Sequence, residues 1–221
     1  MRKLILTGCG LLSLLWSVTT LAALERIGDF ALLDNTGKFH QLSRYQHRKV
    51  VVLMSYVNSC DAMPALLAKY RDLQSNFDTG SVEFLLLDSL DIARTQLQNL
   101  ELGFPLLEDD GQLVSETMGV THAGEVLVLN PQRLSLFYRG PLDDELQTTV
   151  TNAVAGAIEN SIVDQVNGCQ ISYPVKDLHA SAPPDYASEV APIIISNCAE
   201  CHRQGGVGPF ALDSYIMVLG W

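Results

Sequence analysis

Positive charge is scarce in this chain. Lys and Arg number 14 against 25 Asp and Glu, a formal net charge of −11 over 221 residues. Two of the bases, Arg2 and Lys3, lie in an N-terminal leader, which leaves 12 basic against 25 acidic residues beyond it. That balance argues against nucleic acid or an anionic membrane surface as a partner. Internal repeats are absent, which removes solenoids and propellers from consideration. Cysteine is sparse: five in all, of which Cys60, Cys169, Cys198 and Cys201 lie beyond the leader. Apolar content is not lacking. At 48% it allows a sizeable core and argues against wholesale disorder.

The first 23 residues read as an export signal. Arg2 and Lys3 give a positive start, residues 4–21 an apolar run, and Ala22 and Ala23 a small-residue end. The same run is long enough for an uncleaved anchor, and Cys9 follows Leu6-Thr7-Gly8 in the manner of a lipoprotein box. Export to the periplasm or beyond is the expectation, with membrane contact only if the segment stays uncleaved. An exported compartment permits disulfides.

From residue 27 to about 157 strand and helix patterns alternate. Residues 50–57 (VVVLMSYV) and 82–87 (VEFLLL) are short apolar runs, as expected of strands buried on both faces. Residues 63–77 place Leu66, Leu67, Tyr70, Leu73 and Phe77 at helical spacing. A short helix is expected over 92–102, strands over 126–129 and 134–139, and a terminal helix over 148–159. Asp143 and Asp144 form a turn or cap pair. The fold class is α/β, a mixed central sheet with helices on both faces. Residues 161–185, with Gly168, Pro174, Pro183 and Pro184, read as a linker. A helical approach over 186–197 follows, then a glycine-rich loop to 209 and a helix starting near Leu212.

Residues 198–202 read CAECH. Two cysteines two residues apart, followed at once by histidine, form the c-type haem attachment signature. Two thiols reach the two vinyl groups of one porphyrin, and the adjacent imidazole reaches the iron. Cys198 and Cys201 are thus candidate covalent anchors and His202 the candidate iron ligand. Zinc or a redox dithiol also uses this cysteine spacing. Met217 is the sole methionine after the motif, on the first helix beyond the loop. The segment 186–221 reads as an incomplete haem module.

Cys60 lies between an apolar strand and a helix, where a helix N-terminus favours a thiolate. Met63 occupies the place of a second cysteine, so dithiol exchange through a local pair is excluded. Asp61 beside the thiol opposes its ionisation. An inert core cysteine is the alternative. Cys169 either pairs with Cys60 or stands as a structural thiol. His122, before the strand at 126–129, would meet Cys60 and Met63, and a thiolate, a thioether and an imidazole together suit Cu(I). A solvated loop histidine is the plainer reading. His40, His47 and His179 show no partner pattern and read as surface residues.

Two stretches resemble known families. Ile27-Gly28-Asp29-Phe30 with Leu33-Asp34, residues 50–60 and residues 126–140 resemble the redoxin (AhpC/TSA-type) branch of the thioredoxin-like superfamily, over about 24–160. Residues 186–221, with CAECHRQGGVGPFALDSY, are similar to the cytochrome c-like segment fused behind such domains in bacterial exported proteins. The resemblance implies a thiol or peroxide oxidoreductase domain coupled to haem c electron transfer, with a redox partner protein or a downstream module. In longer relatives a copper-dependent monooxygenase module follows. Redoxins carry a cis-proline where this chain has Ala123 and Gly124. The position of His122 resembles Sco-type copper chaperones, which carry two cysteines where this chain has Cys60 alone; a copper-binding module, or an inactive remnant of a larger fusion, is therefore the alternative reading.

Overall fold

The computed structural model describes residues 25–90, 94–98, 100–157, 161–162, 166–208, 210–215 and 218. The leader and Met217 lie outside these residues, as does the side chain of His179. Among the described residues no helix is long and apolar enough to cross a membrane.

The sheet is organised by its most apolar segment. Strand β3 (Val50–Tyr56) has all seven residues buried, which requires cover on both faces and neighbours on both edges. It pairs in parallel with β4 (Val82–Asp88) and antiparallel with β6 (Val126–Asn130). Beyond β4 lies β5 (Leu106–Glu108), parallel to it; beyond β6 lie β7 (Ser135–Gly140), antiparallel, and β8 (Ser161–Ile162), parallel to β7. The six-stranded order is β5-β4-β3-β6-β7-β8, mixed as expected. A separate hairpin joins β1 (Ala31–Leu33) to β2 (Phe39–Gln41).

Helix α1 (Met63–Ser75) makes the crossover from β3 to β4. Pro64 sits in its first turn, where a missing N–H costs nothing and the fixed φ favours helix. Met63, Leu67, Tyr70 and Leu73 form its buried stripe. Tyr70 is fully buried, and its hydroxyl serves Val52 O at 2.8 Å and Leu85 O at 3.0 Å, so it spans the β3–β4 seam. Phe84 and Phe104 close around its ring at 5.3 and 4.8 Å. Each such large apolar side chain contributes roughly 1.5–3 kcal/mol by leaving water.

The helix boundaries differ from expectation where local chemistry outweighs periodicity. Helix α2 (Arg94–Leu97) is a single turn inside the predicted span 92–102. Helix α3 (Leu113–Thr117) follows β5 and is tied down by Asp109, whose carboxylate accepts from Val114 N and Ser115 N. Helix α4 (Asp144–Val154) begins four residues before the predicted 148 and stops five before 159. Asp143 caps it by accepting from Glu145 N and Leu146 N, and the acidic first turn suits the helix dipole.

The segment read as a linker is largely structured. Beyond β8, residues 169–173 lie against the sheet domain, and helix α5 (Pro174–Ser181) follows. A π-helical turn at Tyr186–Val190 leads into α6 (Ala191–Asn197), with Pro192 in its first turn. After the glycine-rich loop, Val218 N–H donates to Ser214 O. His40, expected on the surface, is 3% exposed, because a turn carries it onto the buried carboxylate of Asp34.

Candidate functional site

Strand β3 ends at Tyr56 and the chain turns through Val57 and Cys60 before α1. Cys60 N–H donates to Val57 O, and Met63 N–H to Cys60 O. This tight turn buries Cys60 to 2% exposure ahead of the helix. Its sulfur is bonded to Cys169, 109 residues further along, with the two Cα atoms 5.8 Å apart. Of the two alternatives open for Cys169, the structure therefore shows the pair. The partner sulfur absent at Met63 thus comes from residue 169. Cys169 itself is exposed, so the disulfide joins a buried residue to an exposed one.

The exposed residue lies on a strap, residues 168–173, stitched to the loop before β6. Ala123 N–H donates to Cys169 O and Ile171 N–H to Thr121 O, and His122 bridges Gln170. Ile171 is 5% exposed, and the Tyr173 hydroxyl donates to Val120 O at 2.6 Å. Burial pushes that phenol well above its ordinary pKa, and the nearby carboxylates Asp109, Glu125 and Glu116 add to the shift, so it remains a donor. Gln112, in a left-handed conformation at φ 56°, donates to Ser89 O and Ser172 O and so ties the strap to the end of β4. The strap comes so close that a Cβ at Gly168 would stand 2.2 Å from Ala123 O. The glycine before Cys169 is thus a steric requirement of the disulfide's position.

The loop is in turn fixed by a buried ion pair. Glu125 is 2% exposed; its Oε2 accepts from Thr121 N, Thr121 Oγ1 and His122 N, and its Oε1 from Arg139 Nη1 at 2.9 Å. Arg139 also donates to Gly119 O and to Met118 O. Gly124 N–H donates to Ser55 O, Ser55 N–H to Glu125 O, and Ser55 Oγ to His122 O, which zips the loop to the end of β3 beside Cys60. Sequence reasoning missed Glu125, Arg139, Gln112 and Tyr173. An acidic residue within a buried run, two residues after Ala123, was the available signal for Glu125.

His122 does lie in the loop beside the disulfide, but its Nδ1 meets Thr121 Oγ1 at 2.9 Å. Met63 is 2% exposed. Copper at Cys60, Met63 and His122 would need Cys60 as a thiolate, and that sulfur is engaged by Cys169. Among the described residues no group of three or more His, Cys, Asp or Glu could hold a metal ion.

Cys198 and Cys201 stand free at the end of α6, the first half-buried and the second exposed. His202 N–H donates to Cys198 O at 2.9 Å, so the motif forms one helical turn. His202 Nδ1 lies 3.1 Å from Phe210 O, a group that only accepts, so Nδ1 is the donor there and Nε2 is left for another partner. A backbone carbonyl on one ring nitrogen is the usual support of a histidine that ligates through the other. A Cβ at Gly208 would stand 2.8 Å from His202 Nδ1 and one at Gly206 2.4 Å from Cys201 O. Ile193, Ile195 and Val207 around the motif are exposed. Two free thiols and an imidazole on one helical turn are the groups that a covalently held haem would use.

Residues 24–137, just over half of the chain, match the model of the AhpC/TSA family. Solved structures of similar fold include a hypothetical protein from Sinorhizobium meliloti 1021, at 18% identity and a TM-score of 0.56, covering 70% of this chain and 96% of that one. A conserved protein from Geobacillus kaustophilus gives 19% and 0.54, covering 70% and 94%. The C-terminal domain of a proposed thiol-disulfide oxidoreductase from Bacteroides thetaiotaomicron gives 16% and 0.51, covering 60% and 96%. The fold is thioredoxin-like. A search of curated proteins returned no match.

Proposed function

The chain belongs to the AhpC/TSA family, and from that premise we propose that it is an exported thiol–disulfide oxidoreductase whose working pair is Cys60 and Cys169, coupled to one-electron transfer at a haem c held by Cys198, Cys201 and His202. The observation that carries this reading is the bond between a buried cysteine ahead of α1 and an exposed cysteine on the strap. A long-range structural disulfide with both sulfurs buried would resist exchange, because exchange needs access to one sulfur.

The cycle balances as two electrons. A thiolate of a partner dithiol attacks Sγ of Cys169, the exposed member of the pair. The Cys60–Cys169 bond breaks and Cys60 leaves as a thiolate, stabilised by the N-terminal end of α1. The partner's second thiolate attacks the mixed disulfide, forms the partner's own disulfide and releases Cys169. The reduced pair carries those two electrons to a substrate disulfide by the reverse steps. Cys198 and Cys201 would hold a haem at the CAECH turn, and that group would supply one-electron transfer to a redox partner protein or a downstream module. His202 would ligate iron through Nε2 while Phe210 O holds Nδ1–H. An oxidising compartment suits both the disulfide and the reading of residues 1–23 as a signal.

Two experiments test the two halves. In a Cys198→Ala/Cys201→Ala background, which removes the two other thiols, reduced protein should reduce one equivalent of a model disulfide per chain, and adding Cys60→Ala or Cys169→Ala should abolish this; equal reduction by either variant refutes the pair. Export in a host that matures c-type cytochromes should give a covalent haem band and a reduced pyridine spectrum. No band, or a band that persists in Cys198→Ala/Cys201→Ala, refutes the haem assignment.

A further inference from the structure

Residues 38–49 read KFHQLSRYQHRK: Lys38, Arg44, Arg48 and Lys49 with His40 and His47, and no Asp or Glu. In a chain with 25 acidic and 14 basic residues this is a strong local reversal of sign. The segment folds as β2, a 3-10 turn over Leu42–Tyr45 and the approach to β3. It borders a half-open cavity of about 270 Å3 whose walls include Lys38, Arg44, Tyr45, His47, Arg48 and Glu83.

Glu83 is the one carboxylate in that wall, and it is already neutralised. Arg48 Nε and Nη2 both lie 3.1 Å from Glu83 Oε2. Lys38 and Arg44 make no ion pair among the described residues. Arg44 is oriented by stacking, its guanidinium carbon 4.7 Å from the centre of the Phe39 ring. The Tyr45 and His47 rings also line the cavity, with centroids 6.3 Å apart and planes inclined by 29°.

Two carboxylates stand behind the lining, each occupied by hydrogen bonds: Asp29, which accepts from Gln41 Nε2 and Ser43 N, and Asp34. Tyr45 hydroxyl lies 2.5 Å from His40 Nδ1, and His40 Nε2 lies 2.8 Å from Asp34 Oδ2. Asp34 is 4% exposed, and its other oxygen accepts from Thr36 N, Thr36 Oγ1 and Lys38 N. Burial pushes the Tyr45 phenol up to about 12, so it stays neutral. A concave wall with two uncompensated cations and fixed dipoles focuses positive potential on its interior.

We propose that this cavity is an anion-binding site for a small molecule bearing a carboxylate or phosphate group. Arg44 and Lys38 take the oxyanion through charge-assisted hydrogen bonds, beside the Tyr45 and His47 rings of the same lining. The site lies outside the Cys60–Cys169 pair and does not depend on its chemistry.

The test is an amide-shift titration of the full oxidised chain with two probes, inorganic phosphate and phthalate. Saturable shifts confined to the amides of residues 38–48 are expected. Lys38→Gln/Arg44→Gln should weaken binding about tenfold or more, while Lys69→Gln on α1 should leave it unchanged. Both residues changed in the double variant are exposed, so the fold is not at risk. Saturation by phosphate alone assigns a phosphorylated ligand, by phthalate alone a carboxylate, and by both an oxyanion site indifferent to source. No saturable shift with either probe overturns the proposal. So does binding by the double variant within twofold of the parent. Complete loss at 0.15 M salt, where the Debye length is about 8 Å, would show diffuse attraction and also overturn it.

Discussion

Reduction of Cys60–Cys169 should cost the fold a large part of its stability. The bond closes a loop of 109 residues. In the chain-entropy treatment, a loop of that length stabilises the native state by about 5 kcal/mol at 25 °C, because the unfolded chain loses that freedom. A domain of this size has only about 5–15 kcal/mol to lose. By linkage, the native fold favours the disulfide by the same amount. At about 30 mV per 1.4 kcal/mol for a two-electron couple, that is roughly 100 mV in the reducing direction relative to the unfolded dithiol. The reduced strap keeps Ile171, Tyr173 and the Gln112 hydrogen bonds in place, so the reduced protein should remain folded. The assay is guanidinium unfolding followed by circular dichroism, for oxidised protein, reduced protein and Cys169→Ala. Both the reduced protein and the variant should lose about 3–5 kcal/mol with the native spectrum retained. A loss below about 1 kcal/mol in both would refute the loop-entropy reasoning.

Three further outcomes are expected. Gly168→Ala drives a Cβ into Ala123 O at 2.2 Å; it should destabilise the oxidised form by about 1–3 kcal/mol and make the disulfide easier to reduce, seen in a glutathione redox titration as a shift toward the dithiol. Glu125→Ala strands Arg139 and three loop donors in a buried site; a loss of about 3–5 kcal/mol is expected in urea unfolding, and a loss under about 1 kcal/mol would mean that water replaces the carboxylate. Burial raises the Asp34 carboxyl, but hydrogen bonds from Thr36, His40 and Lys38 outweigh it and hold the group at about 2 against 3.8. Its contribution, about 2 kcal/mol, is present above pH 3.8 and is lost as pH falls through about 2. The stability gap between parent and Asp34→Asn should therefore close between about pH 4 and 2; a gap independent of pH would remove Asp34 from the acid response.

Much of the fold was legible because its strongest signals are local. Val50 to Tyr56 is almost wholly apolar, and a segment with no polar face reads as a central strand. The apolar stripe of α1 and the cap role of Asp143 were readable for the same reason. The helix bounds over 92–102 and 148–159 were misplaced, since a cap or a break decides where a periodic pattern begins and ends. The histidine at 40 was misjudged because its partners, Asp34 and Tyr45, arrive only through a turn.

The sequence by itself determined the α/β class and its apolar centre, together with the position of Cys60 ahead of a helix and the spacing of Cys198, Cys201 and His202. Each of these depends on residues within a few positions of one another. Only the tertiary structure decided that Cys169 is the partner of Cys60. That choice is made by Gly168 crossing Ala123, by Ile171 and Tyr173 docking on the loop, and by Glu125 and Arg139 holding that loop beside β3. Pairing across 109 residues is a property of closed packing, and no local pattern encodes it.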